Sequence, residues 1–178
     1  MIKAYFFDWM KTLADATQGF NIKDLVGEEI NNSLLLKKLE DVNLPNSKDQ
    51  IYEVLTNARH SLYEDSERVI THLKPDYKLA IVSNMYSITT KQIKRLFPDF
   101  LSLFDTLTLS VEAGLMKPNP EIFAYTLRNL NKITGLNIQA NEIMVIGDRK
   151  DYDFDPAIAL GMQARLIDRK AQTLAEVI

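Results

Sequence analysis

Five short apolar runs constrain the fold of this chain more than any other feature. They are IKAYFFD (Ile2 to Asp8), YKLAIVSN (Tyr77 to Asn84), FDTLTLS (Phe104 to Ser110), EIMVIGD (Glu142 to Asp148) and QARLID (Gln163 to Asp168). Each has strand length and closes on polar residues, and stretches of helical spacing separate them. Continuous apolar strands alternating with helices bury both faces of a parallel sheet and carry their polar ends to loops on one edge. The pattern predicts an α/β core with ligands at the carboxyl ends of the strands. Helices are predicted to start near Ser87 to Thr89, at Pro120 to Glu121, near Asp153 and near Ala171.

The interval between the first two runs reads differently. IKDLVGEEINNSLLLKKLEDVN has helical spacing, and PNSKDQIYEVLTNARHSLYED carries Ser47 with Gln50 three residues later, the pattern of a capping box. No strand-like run is visible there. Residues 15–70 are therefore expected to form a helical insertion, with 1–14 and 71–178 as the core. An insertion of this length is too small for an independent enzyme and large enough to cover a site.

Composition removes several function classes. The 21 Lys+Arg and 24 Asp+Glu give a net charge of -3 without long runs of one sign, so the footprint of a nucleic-acid binder is missing. With no cysteine there is no thiol nucleophile, disulfide or zinc-thiolate site. The first apolar run stops at Asp8, too short for a signal peptide or a membrane helix, which makes the cytoplasm the expected compartment. Nothing in the sequence speaks to oligomeric state.

Polar groups follow four of the five runs: Asp8, then Ser83 with Asn84, then Lys117 in GLMKPNPEIF, then Asp148 and Asp153 in IGDRKDYD. Their order and spacing resemble the haloacid dehalogenase superfamily, whose four motifs are an Asp nucleophile, a Ser/Thr, a Lys/Arg and a carboxylate pair. The resemblance spans nearly the whole chain outside the insertion. It implies a doubly wound, Rossmann-like parallel sheet with a small all-helical cap at 15–70, and a hydrolase acting on a small phosphorylated substrate.

The residue types suit that chemistry. A strand-end carboxylate attacks phosphorus to form an aspartyl-phosphate once the negative charges of nucleophile and phosphate are neutralised. The resemblance assigns Asp8 as nucleophile, Lys117 as the neutralising cation, and Ser83, Asn84 and Thr12 as hydrogen-bonding support on the substrate side. A hard cation with oxygen ligands, Mg²⁺, is expected at Asp8, Asp148, Asp153 and the backbone carbonyl of Met10.

Met10 is the departure. Phosphatases of this superfamily place a second Asp two residues after the nucleophile, where it protonates the leaving group and then activates water. A thioether carries no transferable proton, and the loss of a positioned general acid typically costs about 10² to 10⁴ in rate. The family's usual glycine beside it is Lys11. Three resolutions stay open at this stage. The chain is a phosphatase for leaving groups that need little protonation, a hydrolase of the dehalogenase or phosphonatase type, or a phosphate-binding module with impaired catalysis. The phosphonatase analogy would need a cap lysine, from Lys23, Lys37, Lys38 or Lys48.

Structural readings compete at single residues. Asp153 suits a helix N-cap and Asn84 a turn. Asp151 and Asp155 read as solvated loop charges, Arg149 and Lys150 as surface charges that draw anions, and Asp15 as a solvated residue at the cap entry. His60 and His72 stand in or near the cap, and Trp9 with Met10 is expected to form a pocket wall.

Overall fold

The computed structural model describes residues 1–17, 22–44 and 48–178. Five parallel strands form its central sheet: β1 Ala4–Phe7, β4 Lys78–Ser83, β5 Thr106–Leu109, β6 Ile143–Gly147 and β7 Gln163–Leu166, in the order β5-β4-β1-β6-β7. The missing numbers, β2 Ala14–Thr17 and β3 Arg59–Leu62, form a separate antiparallel ribbon. β1 is central, with Phe7 opposite Ile81 on one side and Ile146 on the other. The chain builds outward through β4 and β5, then returns across β1 to add β6 and β7. That reversal leaves a crevice at the carboxyl end of β1.

The period of two along β1 sorts its side chains onto two cores. Tyr5 and Phe7 join one cluster with Val69, Ile70 and Leu73 from α3 (Ser66–Leu73), Ile93 from α4 (Ser87–Leu96), Phe100 from α5 (Pro98–Ser102) and Leu174 from α9 (Leu174–Val177). Ala4 and Phe6 enter the opposite cluster, with Ile122, Phe123 and Leu130 of α7 (Glu121–Thr134) and Ala157 of α8 (Asp155–Ala159). Helices on both faces of a mostly parallel sheet make the fold doubly wound.

The predicted strands and helices all occur, with α9 beginning at Leu174 rather than near Ala171. Thr173 caps it, its backbone N–H donating to the Glu176 carboxylate at 2.7 Å. The segment 15–70 is not helical throughout. β2 and β3 pair with each other inside it, and α3, at its end, packs in the main core with Val69 and Ile70 beside Phe7. ADAT and RHSL are four-residue polar strands whose partner lies more than forty positions away, so neither shows the periodicity of a strand.

The remainder of the insertion is α1 (Ile22–Leu36), broken at Gly27 where φ is 78°, and α2 (Lys48–Asn57). Ser47 of the expected capping box lies outside the described residues. Ile22, Leu34, Leu39, Ile51 and Leu55 form a small core of their own, and Tyr86 and Ile88 pack against it from the α4 side. Hydrogen bonds tie this cap down. Ser110 Oγ, at the start of α6 (Ser110–Ala113), donates to Leu35 O at 2.7 Å and accepts from Met85 N at 2.9 Å. Gln92 Nε2 donates to Thr56 O at 2.9 Å. No helix among the described residues is long and apolar enough to cross a membrane.

Candidate active site

Asp8 stands directly after β1, its N–H donating to Ile146 O of β6 at 2.9 Å. The chain then turns sharply: Leu13 N and Ala14 N both donate to Trp9 O, at 3.0 and 2.9 Å, and Lys11 N donates to Ala14 O at 2.7 Å. Lys11 adopts φ 55°, the left-handed conformation that the turn demands and that a glycine would meet without steric cost. Trp9 is 0% exposed and packs on Phe97 and Phe100, so of the expected pocket wall Met10 remains and Trp9 belongs to the core. Thr12 is also fully enclosed, with no hydrogen bond to its hydroxyl among the described residues. It is not among the residues that line the cleft, so the geometry lends no support to the expected substrate contact.

Lys117 joins the two acidic ends of the site. Its Nζ donates to Asp8 Oδ1 at 2.6 Å and to Asp153 Oδ1 at 2.5 Å, and all three side chains are buried. The Lys117 backbone is fixed by Asn84, whose Oδ1 accepts from Lys117 N and whose Nδ2 donates to Lys117 O, both at 2.8 Å. Asn84 therefore clamps the loop that carries the lysine while also lining the cleft. Ser83, 1% exposed, ends β4 and lines the cleft.

Asp153 sits in a π-helical turn, Lys150–Phe154, between β6 and α8. Its Oδ2 accepts from Arg149 N at 3.0 Å, so its carboxylate faces the site rather than capping α8. A Cβ on Gly147 would lie 2.2 Å from Asp153 Cγ, so only glycine lets the carboxylate fold back over the end of β6. Asp151 and Asp155 are exposed and paired with Arg149 and Lys150 respectively. Those two cations are neutralised locally, which weakens their expected pull on anions.

Burial pushes the Asp153 carboxyl up to about 6, opposed by Lys117 and reinforced by Asp8. Burial also raises Asp148, with Asp8 adding to the effect and Lys11 and Lys117 opposing it. For Lys117 burial acts downward, but the carboxylates of Asp8 and Asp153 outweigh it and hold the amine above its usual value, as an ammonium. Asp8, Asp148 and Asp153 each present a carboxylate oxygen within 4.8 Å of the others. Three acids against one buried lysine leave an excess of negative charge, and an all-oxygen donor set of this kind fits a hard divalent cation.

The site opens into a cleft of about 400 Å³ shared by the core and the cap. Asp8, Met10, Ser83, Asn84, Lys117, Asp148 and Asp153 line it together with Lys11, Arg149 and Tyr152. Cap residues Lys23, Glu28, Asn31, Asn32 and Leu35 and the core residue Tyr86 complete it. Sequence reasoning missed Asn31, Asn32 and Tyr86, because only the seating of the insertion on the core, with α1 against α6, brings them to the cleft. Of the four cap lysines, only Lys23 lines it among the described residues. Its side chain is 49% exposed and pairs with Glu28 at 3.2 Å, so it is not a desolvated amine. His60 is buried on β3, with neither ring nitrogen bonded among the described residues and its pKa lowered by burial, while His72 is exposed; neither lines the cleft. Asp15 lines a neighbouring cavity with Lys11, Tyr63 and Asp148.

Comparison with known proteins gives a consistent picture. The family model for hydrolases of the haloacid dehalogenase-like type matches residues 8–161. A glyceraldehyde 3-phosphate phosphatase of Methanocaldococcus jannaschii is 35% identical over 86 residues, which is 48% of this chain and 34% of that protein. An uncharacterized hydrolase of Schizosaccharomyces pombe is 31% identical over 100 residues, 55% of this chain and 42% of that protein. The chain thus matches less than half the length of these curated relatives. Among solved structures, a HAD family enzyme of Bacteroides thetaiotaomicron in complex with magnesium and inorganic phosphate superposes with a TM-score of 0.69 at 19% identity. That match covers 93% of this chain and 94% of the other. A HAD-like hydrolase of Porphyromonas gingivalis gives 0.71 at 21% identity, over 94% and 92%. At these identities the likeness is one of fold.

Proposed function

This chain belongs to the haloacid dehalogenase-like hydrolases, and we propose that it is a magnesium-dependent phosphatase of small phosphorylated compounds, working through an aspartyl-phosphate on Asp8. The observation that carries this reading is the buried Lys117 ammonium, bonded to both Asp8 and Asp153 on the floor of the cleft. The relative that acts on a three-carbon phosphate supports the substrate class.

Asp8 Oδ1 is held by Lys117, while Oδ2 accepts no hydrogen bond among the described residues and is the oxygen available to attack. As the Asp8 oxygen bonds to phosphorus, the bond from phosphorus to the leaving oxygen breaks, and that oxygen takes its proton from solvent. Lys117 compensates the charge gathering on the phosphoryl group, and Ser83 donates to one of its oxygens. Water then attacks phosphorus, phosphate departs and the Asp8 carboxylate is regenerated. Asp8, Asp148, Asp153 and the Met10 carbonyl would hold Mg²⁺, which supplies Lewis-acid neutralisation of phosphoryl charge. Without a side-chain acid at Met10, the reaction favours leaving groups that are stable as anions, such as aryl and acyl phosphates.

Release of phosphate from phenyl or acetyl phosphate with Mg²⁺, abolished by Asp8→Asn, is the expected result. Halide release from a haloacid without added metal would replace this reading with a dehalogenase. Met10 favours a second reading, a phosphate-binding module with little turnover. Calorimetric binding of phosphate or Mg²⁺ without hydrolysis would support that alternative.

A further inference from the structure

The cap brings to the cleft one polar side chain that is almost wholly buried. Asn31, in α1, is 8% exposed, and Tyr86 Oη lies 2.6 Å from its Oδ1. That separation is the length of an O–H···O bond rather than an N–H···O bond, so the tyrosine donates and the amide oxygen accepts. Burial pushes the Tyr86 hydroxyl up to about 12, which keeps its proton in place throughout the neutral range. The orientation of the carboxamide follows: its oxygen is occupied, and among the described residues its Nδ2 hydrogens meet no acceptor.

Asn31 lines the cleft, and with its oxygen held by Tyr86 its amide hydrogens are the polar groups it offers to an acceptor there. The residues sharing the cleft wall with it, Asn32, Leu35, Lys23 and Glu28, leave room in a space of about 400 Å³ that also contains Asp8. We propose that Asn31, held by Tyr86, is a specificity-determining residue that donates to an oxygen of the substrate's leaving group. The substrate class is then a small phosphate, acyl phosphates included, whose leaving group carries a hydroxyl, carbonyl or carboxylate oxygen, rather than a hydrocarbon phosphate. Tyr86 acts through Asn31 as a positioning residue. This inference rests on the phosphatase reading and names the substrate class of the same site.

Competitive inhibition tests it without requiring turnover of the probes. Phenyl phosphate is the substrate, and glycerol 3-phosphate and propyl phosphate, equal in carbon number, are the inhibitors. In the wild type the hydroxylated inhibitor is expected to bind roughly tenfold tighter, the effect of one added hydrogen bond to the cleft-lining amide. In Asn31→Ala the two inhibition constants converge, and in Asn31→Asp the preference is lost as well, because a carboxylate oxygen replaces the donor. Tyr86→Phe reduces the preference several-fold while Asn31 remains, and it carries the test if melting curves show that Asn31→Ala does not fold. Equal inhibition constants in an active wild type, or an unchanged preference in folded Asn31→Ala and Tyr86→Phe, overturn this inference alone. A wild type that does not hydrolyse phenyl phosphate overturns the phosphatase reading and this inference with it.

Discussion

Lys117 Nζ stands 2.6 Å from Asp8 Oδ1, although 109 positions separate the two residues, and neither side chain is more than 9% exposed. A pair this buried persists because each charge is the other's solvent replacement, and Asp153 on the far side of the ammonium completes the arrangement. Removing the lysine leaves two enclosed carboxylates facing each other. Lys117→Met is expected to lower unfolding stability by roughly 3–5 kcal/mol in the absence of metal, with partial recovery on adding Mg²⁺. Phosphatase activity should fall by about 10²-fold or more. Denaturant titrations with and without Mg²⁺, alongside a phosphate-release assay, check both.

Met10 lines the cleft two positions after Asp8, where the family resemblance expects a general acid. Met10→Asp should raise turnover of alkyl phosphates by about 10-fold or more, and that of aryl phosphates by less, since a phenolate departs without a proton. Steady-state kinetics on one compound of each type decides it. Equal gains on both would point to an effect on the metal site.

Lys11 holds a left-handed backbone at φ 55°. A side chain in that region costs roughly 1 kcal/mol relative to glycine, so Lys11→Gly is expected to stabilise the turn. Loss of the side chain also removes a positive charge that lowers the Asp148 pKa, and Mg²⁺ affinity should rise slightly. Chemical denaturation and calorimetry give the two readings.

Asp65 anchors the loop before α9. Its carboxylate accepts from the Arg169 guanidinium and from Leu174 N, and the guanidinium stacks 4.1 Å above the Tyr63 ring. Burial pushes this carboxyl up, but the Arg169 hydrogen bond and charge and the Leu174 amide outweigh it and hold it below the usual aspartate range. A depressed folded value means stability that is fully present above the unfolded pKa and is lost as pH falls through the folded one. The wild type should therefore lose stability below about pH 4 more steeply than Asp65→Asn, which starts roughly 2 kcal/mol less stable at pH 7. Urea midpoints from pH 2 to 7 test the difference in slope.

What the sequence disclosed followed from local patterning. Asp8, Ser83 and Asp148 each close an apolar run, and a run that ends in a polar residue identifies both the strand and the edge at which its side chain emerges. Lys117 was legible only through its motif. Other parts depended on contacts that no window of sequence contains. Asp153 has the spacing of an N-cap, and its carboxylate turns inward because Gly147 leaves room for it and Arg149 N supplies a donor. The Asn84 amide is bonded to the Lys117 backbone, 33 positions away, a contact that no local pattern announces. Asn31 and Tyr86 are 55 positions apart, and their meeting depends on how the cap settles on the core.

The Ser110 hydroxyl links Leu35 of the cap to Met85 of the core, while the β2–β3 ribbon carries the chain out to the cap and back. The insertion is thus fastened by a covalent stem and by several hydrogen-bonded latches. Swinging the roof away from Asp8 requires that the Ser110, Gln92 and Tyr86 hydrogen bonds to Leu35, Thr56 and Asn31 yield together, so the cover is held by several weak bonds acting as one.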